Sequence, residues 1–247
     1  MRRPTLVGCC GWGEAQAKYV TRFPVIELQT PFYEPPTIAV ASRWRALAPP
    51  EFQFCLKAWQ LITHTPASPT YRRLKSRISL EEKDLFGSFR PTEQVWLAWE
   101  RTREIARILR ANIVVFQCPA SFVPSRENIR NFHAFFSRVE PESFRFAWEP
   151  RGDWPEAVVR ELCSEYNLIH CVDPLKTMPA HGDATYWRLH GRGGHRYRYT
   201  DADFDELEIA LSRYADLPGP AYVMFNNVYL KDDALRFMER LSTKERA

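Results

Sequence analysis

The sequence predicts an α/β fold, a single (β/α)8 barrel spanning residues 1–247 with an extended loop after its third strand. Three observations predict it. Eight short apolar runs recur along the chain, segments of helical period separate them, and the runs end in polar residues of matching phase. Parallel strands need long crossovers, which helices supply, and eight such units fit a chain of about 250 residues.

The strand-like runs are residues 5–9, 24–29, 52–58, 112–118, 144–149, 168–173, 184–190 and 221–226. Between the third and fourth, Pro91 opens a helix that carries Val95, Trp99, Ile105 and Leu109 on one face. Residues 126–139 align Ile129, Phe132, Phe136 and Val139. Pro155 opens a helix with Val158, Val159, Leu162 and Tyr166, and Phe204, Leu207, Leu211 and Tyr214 form a further stripe. Residues 65–89 are too long for an ordinary connection, which favours a lid or binding loop.

Strand ends give an independent check. Glu27 with Gln29, Lys57, Gln117, Glu149, Asp173, Arg188 with His190, and Asn226 each fall at or near the C-terminal end of a run. Side chains alternate faces with period two. Lys57 therefore shares a face with Cys55, Gln117 with Val115, Asp173 with Cys171, and Asn226 with Met224. Leu56, Phe116, Val172 and Phe225 take the opposite face, towards the helices. Seven of eight strands delivering polar groups in one phase is what a barrel mouth requires, and sites in this fold form there.

Composition sets wide bounds. At 45% hydrophobic and 26% charged residues the chain reads as a soluble globular protein. A net charge of +4 permits a polyanionic partner without requiring one. No apolar run reaches membrane-spanning length, so the expectation is a cytoplasmic protein with no membrane partner. Six cysteines without a CxxC pair suggest buried thiols, not a disulfide framework.

The mouth offers several chemistries. Glu27, Glu149 and Asp173 suit general acid–base work or a hard divalent metal, and with His64 and His190 they provide mixed nitrogen and oxygen donors. Glu149, Asp173 and His190 are the metal-ligand candidates, although the absence of HxxxH and HxH pairs argues against a cluster of zincs. The plainer reading is ion pairing: Glu149 with Arg151 or Lys57, and Asp173 with Arg188. Lys57 could anchor a phosphate, polarise a substrate or form a Schiff base, with a salt bridge to Glu27 or Glu149 slightly preferred. Asn226 and Asn227 can bind a carbonyl or a sugar hydroxyl, or simply make a turn. His133 and His170 read as structural.

Two basic loops follow strands on the same face. One holds Tyr71, Arg72, Arg73, Lys75 and Arg77; the other interleaves Arg192, Arg196 and Arg198 with Tyr197 and Tyr199. Arginines among aromatic rings suit phosphate contact plus base stacking. A solvated charged face is the bland alternative for either run alone. Their convergence on one mouth favours an anionic small molecule or a nucleic acid.

The motifs GCCGW, ELQTPFYEPP, FCLKAWQLITH, FQCPASF, WEPRGDW, RLHGR and FNN occur in this order over almost the full length. In them the chain resembles the domain of unknown function 72 family, which implies a barrel of this kind and a mouth site that includes Trp12. Three departures stand out: Cys9-Cys10 where the family usually has Thr-Ser, Gln29-Thr30-Pro31 where it has Asn-Ser-Thr, and no glycine shortly after Asn227. The family is distantly similar to endonuclease IV and sugar-isomerase barrels, which use metals at this face.

The leading expectation is a hydrolase-like enzyme acting at the mouth on a phosphate-bearing or nucleic-acid substrate. Glu149 would be its acid–base or metal-binding carboxylate, Asp173 a partner and His190 a second proton-transfer group. Lys57 and Arg188 would stabilise developing negative charge. Glu27, Gln29, His64, Gln117, Arg151, the three arginines and Tyr197 of the second basic loop, Asn226, Asn227 and Trp12 complete the substrate contacts. The alternatives are a non-catalytic nucleic-acid-binding protein and a sugar or metabolite isomerase or lyase that uses Lys57 or a metal.

Overall fold

The computed structural model describes residues 3–246 except Ser76, Arg77, Leu80 and Pro141. Eight strands close into one parallel barrel in chain order: β1 (Thr5–Cys10), β2 (Val25–Leu28), β3 (Gln53–Lys57), β4 (Ile113–Gln117), β5 (Arg145–Glu149), β6 (Ile169–Val172), β7 (Thr185–Leu189) and β8 (Ala221–Phe225). Every pairing is parallel, and β8 returns to β1 through five residue pairs from Thr5↔Ala221 to Cys9↔Phe225. Each apolar run of the sequence is therefore a strand.

The helices are α1 (Gln16–Arg22), α2 (Thr30–Tyr33), α3 (Ile38–Leu47), α4 (Gln60–Thr63), α5 (Glu93–Leu109), α6 (Arg126–Phe136), α7 (Glu156–Glu165), α8 (Asp201–Arg213) and α9 (Leu230–Arg246). Their starts follow local chemistry. Thr37, Thr92, Ser125 and Thr200 accept the amide of the third helical residue, and Thr200 with Asp203 forms a capping box.

One unit departs from the alternation. No helix joins β6 to β7; Pro174, Pro179 and Gly182 break up that segment. A recess of about 470 Å³ lies there, between Arg160 of α7 and Tyr214 just past α8. The long connection after β3 contains two 3-10 turns, Pro69–Arg73 and Lys83–Leu85. It returns through Gly87, Ser88 and Phe89, all at positive φ and all donating their amides to carbonyls of α4. A Cβ at Gly87 would meet the His64 carbonyl oxygen at 2.3 Å, so only glycine fits.

The predicted strand phase separates two apolar layers. Leu56, Phe116, Val172 and Phe225 join the large layer between strands and helices. Cys55, Val115, Cys171 and Met224 join a smaller cluster inside the barrel, with Cys10, Ile113, Tyr186 and Tyr222. All six cysteines are buried free thiols. The interior is thus filled with side chains up to the level at which charge begins.

Candidate functional site

The charged layer sits directly above that apolar plug, because the same strand phase carries Glu27, Lys57, Glu149 and Arg188 inward. Arg188 is its hub and is only 1% exposed. Its Nε donates to both Glu27 oxygens, at 3.1 and 3.0 Å, and its Nη1 donates to Gln117 Oε1 at 3.0 Å and to Glu149. Tyr186 donates its hydroxyl to Glu27 at 2.8 Å, and Gln29 donates its amide to the same carboxylate. One guanidinium thus bridges strands β2, β4 and β5 from β7. Burial alone would lower the Arg188 pKa, but Glu149 and Glu27 outweigh it and raise it well above the usual value.

Glu149 is the second node. Arg151 Nε donates to its Oε1 at 3.0 Å, and His190 Nε2 lies 3.3 Å from the same oxygen. Burial would raise the Glu149 carboxyl, but Arg188, His190 and Arg151 together hold it well below the carboxylate range. Arg151 Nη2 also lies 2.9 Å from His190 Nε2, and the Asn226 side-chain amide nitrogen lies 3.1 Å from Nδ1. Burial lowers the His190 pKa and Arg188 adds to the effect, against its bond to Glu149. The Asn226 amide nitrogen can only donate, so a neutral imidazole that accepts from it at Nδ1 carries its proton on Nε2, facing Glu149.

Lys57 stands apart. It is 5% exposed, yet no hydrogen bond or ion pair reaches its Nζ among the described residues. The nitrogen instead lies 3.6 Å over the centre of the Phe32 ring. Burial pushes its pKa down and the Arg188 charge adds to that, with Glu27 and Glu149 opposing; the result is about 7. His64 packs edge-on against the same Phe32 ring at 5.0 Å, and its Nδ1 lies 2.8 Å from the Thr63 hydroxyl. Burial, followed by the charges of Lys57 and Arg151, lowers His64 to about 3, so it is a neutral wall.

Several expectations change here. Lys57 makes no salt bridge to Glu27 or Glu149, because Arg188 has taken both carboxylates. Asp173 does not pair with Arg188: it accepts the backbone amides of Leu175 and His190 at 3.2 Å each, fixing the turns after β6 and β7. Asn227 donates to Asp233 and to the Tyr197 carbonyl, so it anchors a loop. Trp12 packs on Tyr19 and Trp44, towards the helices. His133 and His170 bond to Tyr166 and the Ala180 amide, in structural settings.

The basic loops are less available than their composition suggests. Arg192 pairs with Asp203 and Glu206, and Tyr197 donates to Asp203, so α8 neutralises the start of that loop. Tyr199 is buried and accepts the Gly191 amide. Arg198 lies over Tyr229, and Arg196 is exposed with no ion pair among the described residues. In the other loop Arg73 lies 3.5 Å over Tyr33, and Arg77 lies outside the described residues.

The predicted metal ligands do not converge. Among the described residues no group of three or more His, Cys, Asp or Glu is placed to hold an ion. Asp173 is turned to backbone amides, and the cation between Glu27 and Glu149 is Arg188 itself. Sequence reading also missed Tyr186 and Phe32. The strand phase of Arg188 points to Tyr186, two residues earlier; nothing periodic marks Phe32, which sits in a one-turn helix.

Comparison with known proteins agrees with the architecture. The profile described as "Protein of unknown function DUF72" matches residues 6–247. No curated protein matches the sequence. A DUF72 family protein from Enterococcus faecalis is similar at TM-score 0.74 and 18% identity, over 97% of this chain and 98% of its own. One from Thermotoga maritima reaches 0.67 at 20%, over 97% and 99%. D-allulose 3-epimerase from Methylomonas sp., in complex with D-allulose, reaches 0.61 at 13%, over 96% and 97%. At these identities the likeness is one of fold.

Proposed function

The chain belongs to the DUF72 family, and from that premise we propose an enzyme of the isomerase or lyase class acting at the barrel mouth on a small polyhydroxylated carbonyl compound. The observation that carries this reading is Lys57. It is a buried amine at a strand end with no counter-ion among the described residues and a pKa near neutrality, able to give and take a proton at working pH. Two amides border its strand. Gln29 commits its nitrogen to Glu27, leaving its oxygen as an acceptor; Gln117 commits its oxygen to Arg188, leaving its nitrogen as a donor. A neutral donor and a neutral acceptor suit hydroxyls better than phosphates. The fold likeness to a ketose epimerase supports the same substrate class, without assigning its chemistry.

In this reading Lys57 activates the substrate carbonyl from within the mouth, and the proton beside the carbonyl passes to a basic group of the same layer. Arg151, an exposed cation beside Glu149, donates to the oxygen on which charge develops. The His190–Glu149 pair is held by Arg188 and Asn226 as the proton-transfer couple. Among the described residues no metal-ligating cluster is present, and the reading needs none.

The test is solvent exchange. Aldoses and ketoses, D-allulose among them, are incubated with the protein in heavy water and followed by NMR. The expected result is deuterium beside the carbonyl of at least one sugar with the wild-type chain and none with a folded Lys57→Met variant. Absence of exchange across the panel would overturn the proposal. The non-catalytic nucleic-acid-binding reading rests on basic residues such as Arg196 and Arg198 at the rim, and a salt titration against single-stranded DNA would revive it if affinity fell steeply with salt.

A further inference from the structure

We propose that Lys57 acts covalently, its Nζ condensing with the substrate carbonyl to form an imine on the barrel wall. This rests on the reading of the mouth as a carbonyl site, and it makes Lys57 the electron sink, leaving the His190–Glu149 pair to take the proton. Four features of the structure point there.

The first is uniqueness. The chain has seven lysines, and Lys57 alone is buried. The second is the absence of any claim on its nitrogen: Glu27 and Glu149 both lie in the same layer, yet Arg188 and its partners occupy their oxygens. An amine in an ion pair is held protonated, whereas this one has its lone pair available for a large part of the time near neutral pH. The third is the ring beneath it. Phe32 presents its face to Nζ at 3.6 Å, and His64 and Tyr33 pack edge-on against that ring at 5.0 Å each, fixing its orientation. A protonated imine is a cation, and the ring face that now lies under the amine would lie under it. The fourth is rigidity. Lys57 pairs with Val115 of β4, and the following amide, of Ala58, donates to the Val115 carbonyl at 2.9 Å. The nucleophile is therefore delivered from a fixed backbone.

The step balances within its two reactants. The Nζ lone pair adds to the carbonyl carbon, and the carbonyl π pair moves to oxygen. Both amine hydrogens then leave with that oxygen as water as the C=N bond forms. No oxidant or reductant is consumed. Burial keeps bulk water from the product, which slows the reverse hydrolysis.

Reductive trapping tests this with the full-length wild-type chain. Glycolaldehyde, dihydroxyacetone and pyruvate are each added at neutral pH with sodium cyanoborohydride, and peptide mass spectrometry reads the modification at every lysine. With at least one probe, the Lys57 peptide is expected to be labelled at least about tenfold above any other lysine, because a depressed amine pKa enlarges the reactive neutral fraction. The urea-unfolded chain should lose that preference, and Phe32→Leu should lower labelling at Lys57 severalfold. Labelling spread evenly over the exposed lysines in the native chain, or none at Lys57 with any probe, would overturn the imine. Because the measurement is internal to the wild type, it does not depend on a variant that folds. Solvent deuterium exchange without trapping would remove the imine and keep proton transfer; loss of both would remove the whole reading of the mouth.

Discussion

Two buried cations share one rim, and their settings are opposite. Arg188, on the β7 side, is enclosed by Glu27, Glu149 and Gln117. Lys57, on the β3 side, has an aromatic face and, among the described residues, no carboxylate in an ion pair with it. Enclosure raises one pKa and burial lowers the other. The contrast teaches that the same burial can build either a scaffold or a reactive group, depending on which cation captures the available anions. Arg188 prevails because its planar fork can serve several acceptors at once.

The sharpest way to break this comparison is Arg188→Met. It leaves Glu27 and Glu149 buried without their cation and is expected to cost about 3–5 kcal/mol in urea unfolding at neutral pH. Wild-type stability in that variant would show that the enclosure holds nothing together.

Lys57→Met should have the opposite sign. At neutral pH and below, Lys57 is charged in the unfolded chain and strained by burial in the folded one, so its removal is expected to stabilise by about 2–4 kcal/mol. Between the folded value of about 7 and the unfolded value near 10.5, the unfolded state binds more protons, and wild-type stability rises with pH. The advantage of the variant should therefore shrink across that window. A pH-independent difference would mean that packing, not charge, sets it.

His64, beside Lys57, sharpens the contrast at acid pH. Its folded value of about 3 lies below the unfolded 6.5, so the unfolded state gains protons first as pH falls. The wild type should lose about 1–2 kcal/mol between pH 6.5 and 5 from this group, and His64→Phe should flatten that slope. The smallest effect belongs to the outer loop. Arg192→Ala breaks an exposed pair to Glu206 and one to the buried Asp203, which keeps its bonds from Tyr197 and Thr200, and should cost less than about 1 kcal/mol by thermal melting.

The barrel was legible because alternation is a local property. Cys55 and Lys57 point inward whatever their neighbours are, and Leu56 points outward. The strand-end rule likewise located Glu27, Lys57, Glu149 and Arg188 in one layer. Their pairing was not legible, because it depends on distances between residues up to 161 positions apart, such as Glu27 and Arg188. Sequence also overstated the basic loop, since Asp203 and Glu206, which neutralise Arg192, sit one element further on. The missing helix between β6 and β7 was marked by Pro174 and Pro179, but the eightfold pattern concealed it.

The closure of β1 on β8 has a kinetic meaning. It joins Thr5 to Ala221, nearly the two ends of the chain, so the loop-closure entropy of that seam is among the largest in the molecule. Glu27 and Arg188 stand on β2 and β7, on either side of the seam, and can meet only once it has formed. During synthesis the mouth would therefore assemble last, after almost every strand has emerged. Recovery of the Glu27–Arg188 contact in refolding would report completion of the ring itself.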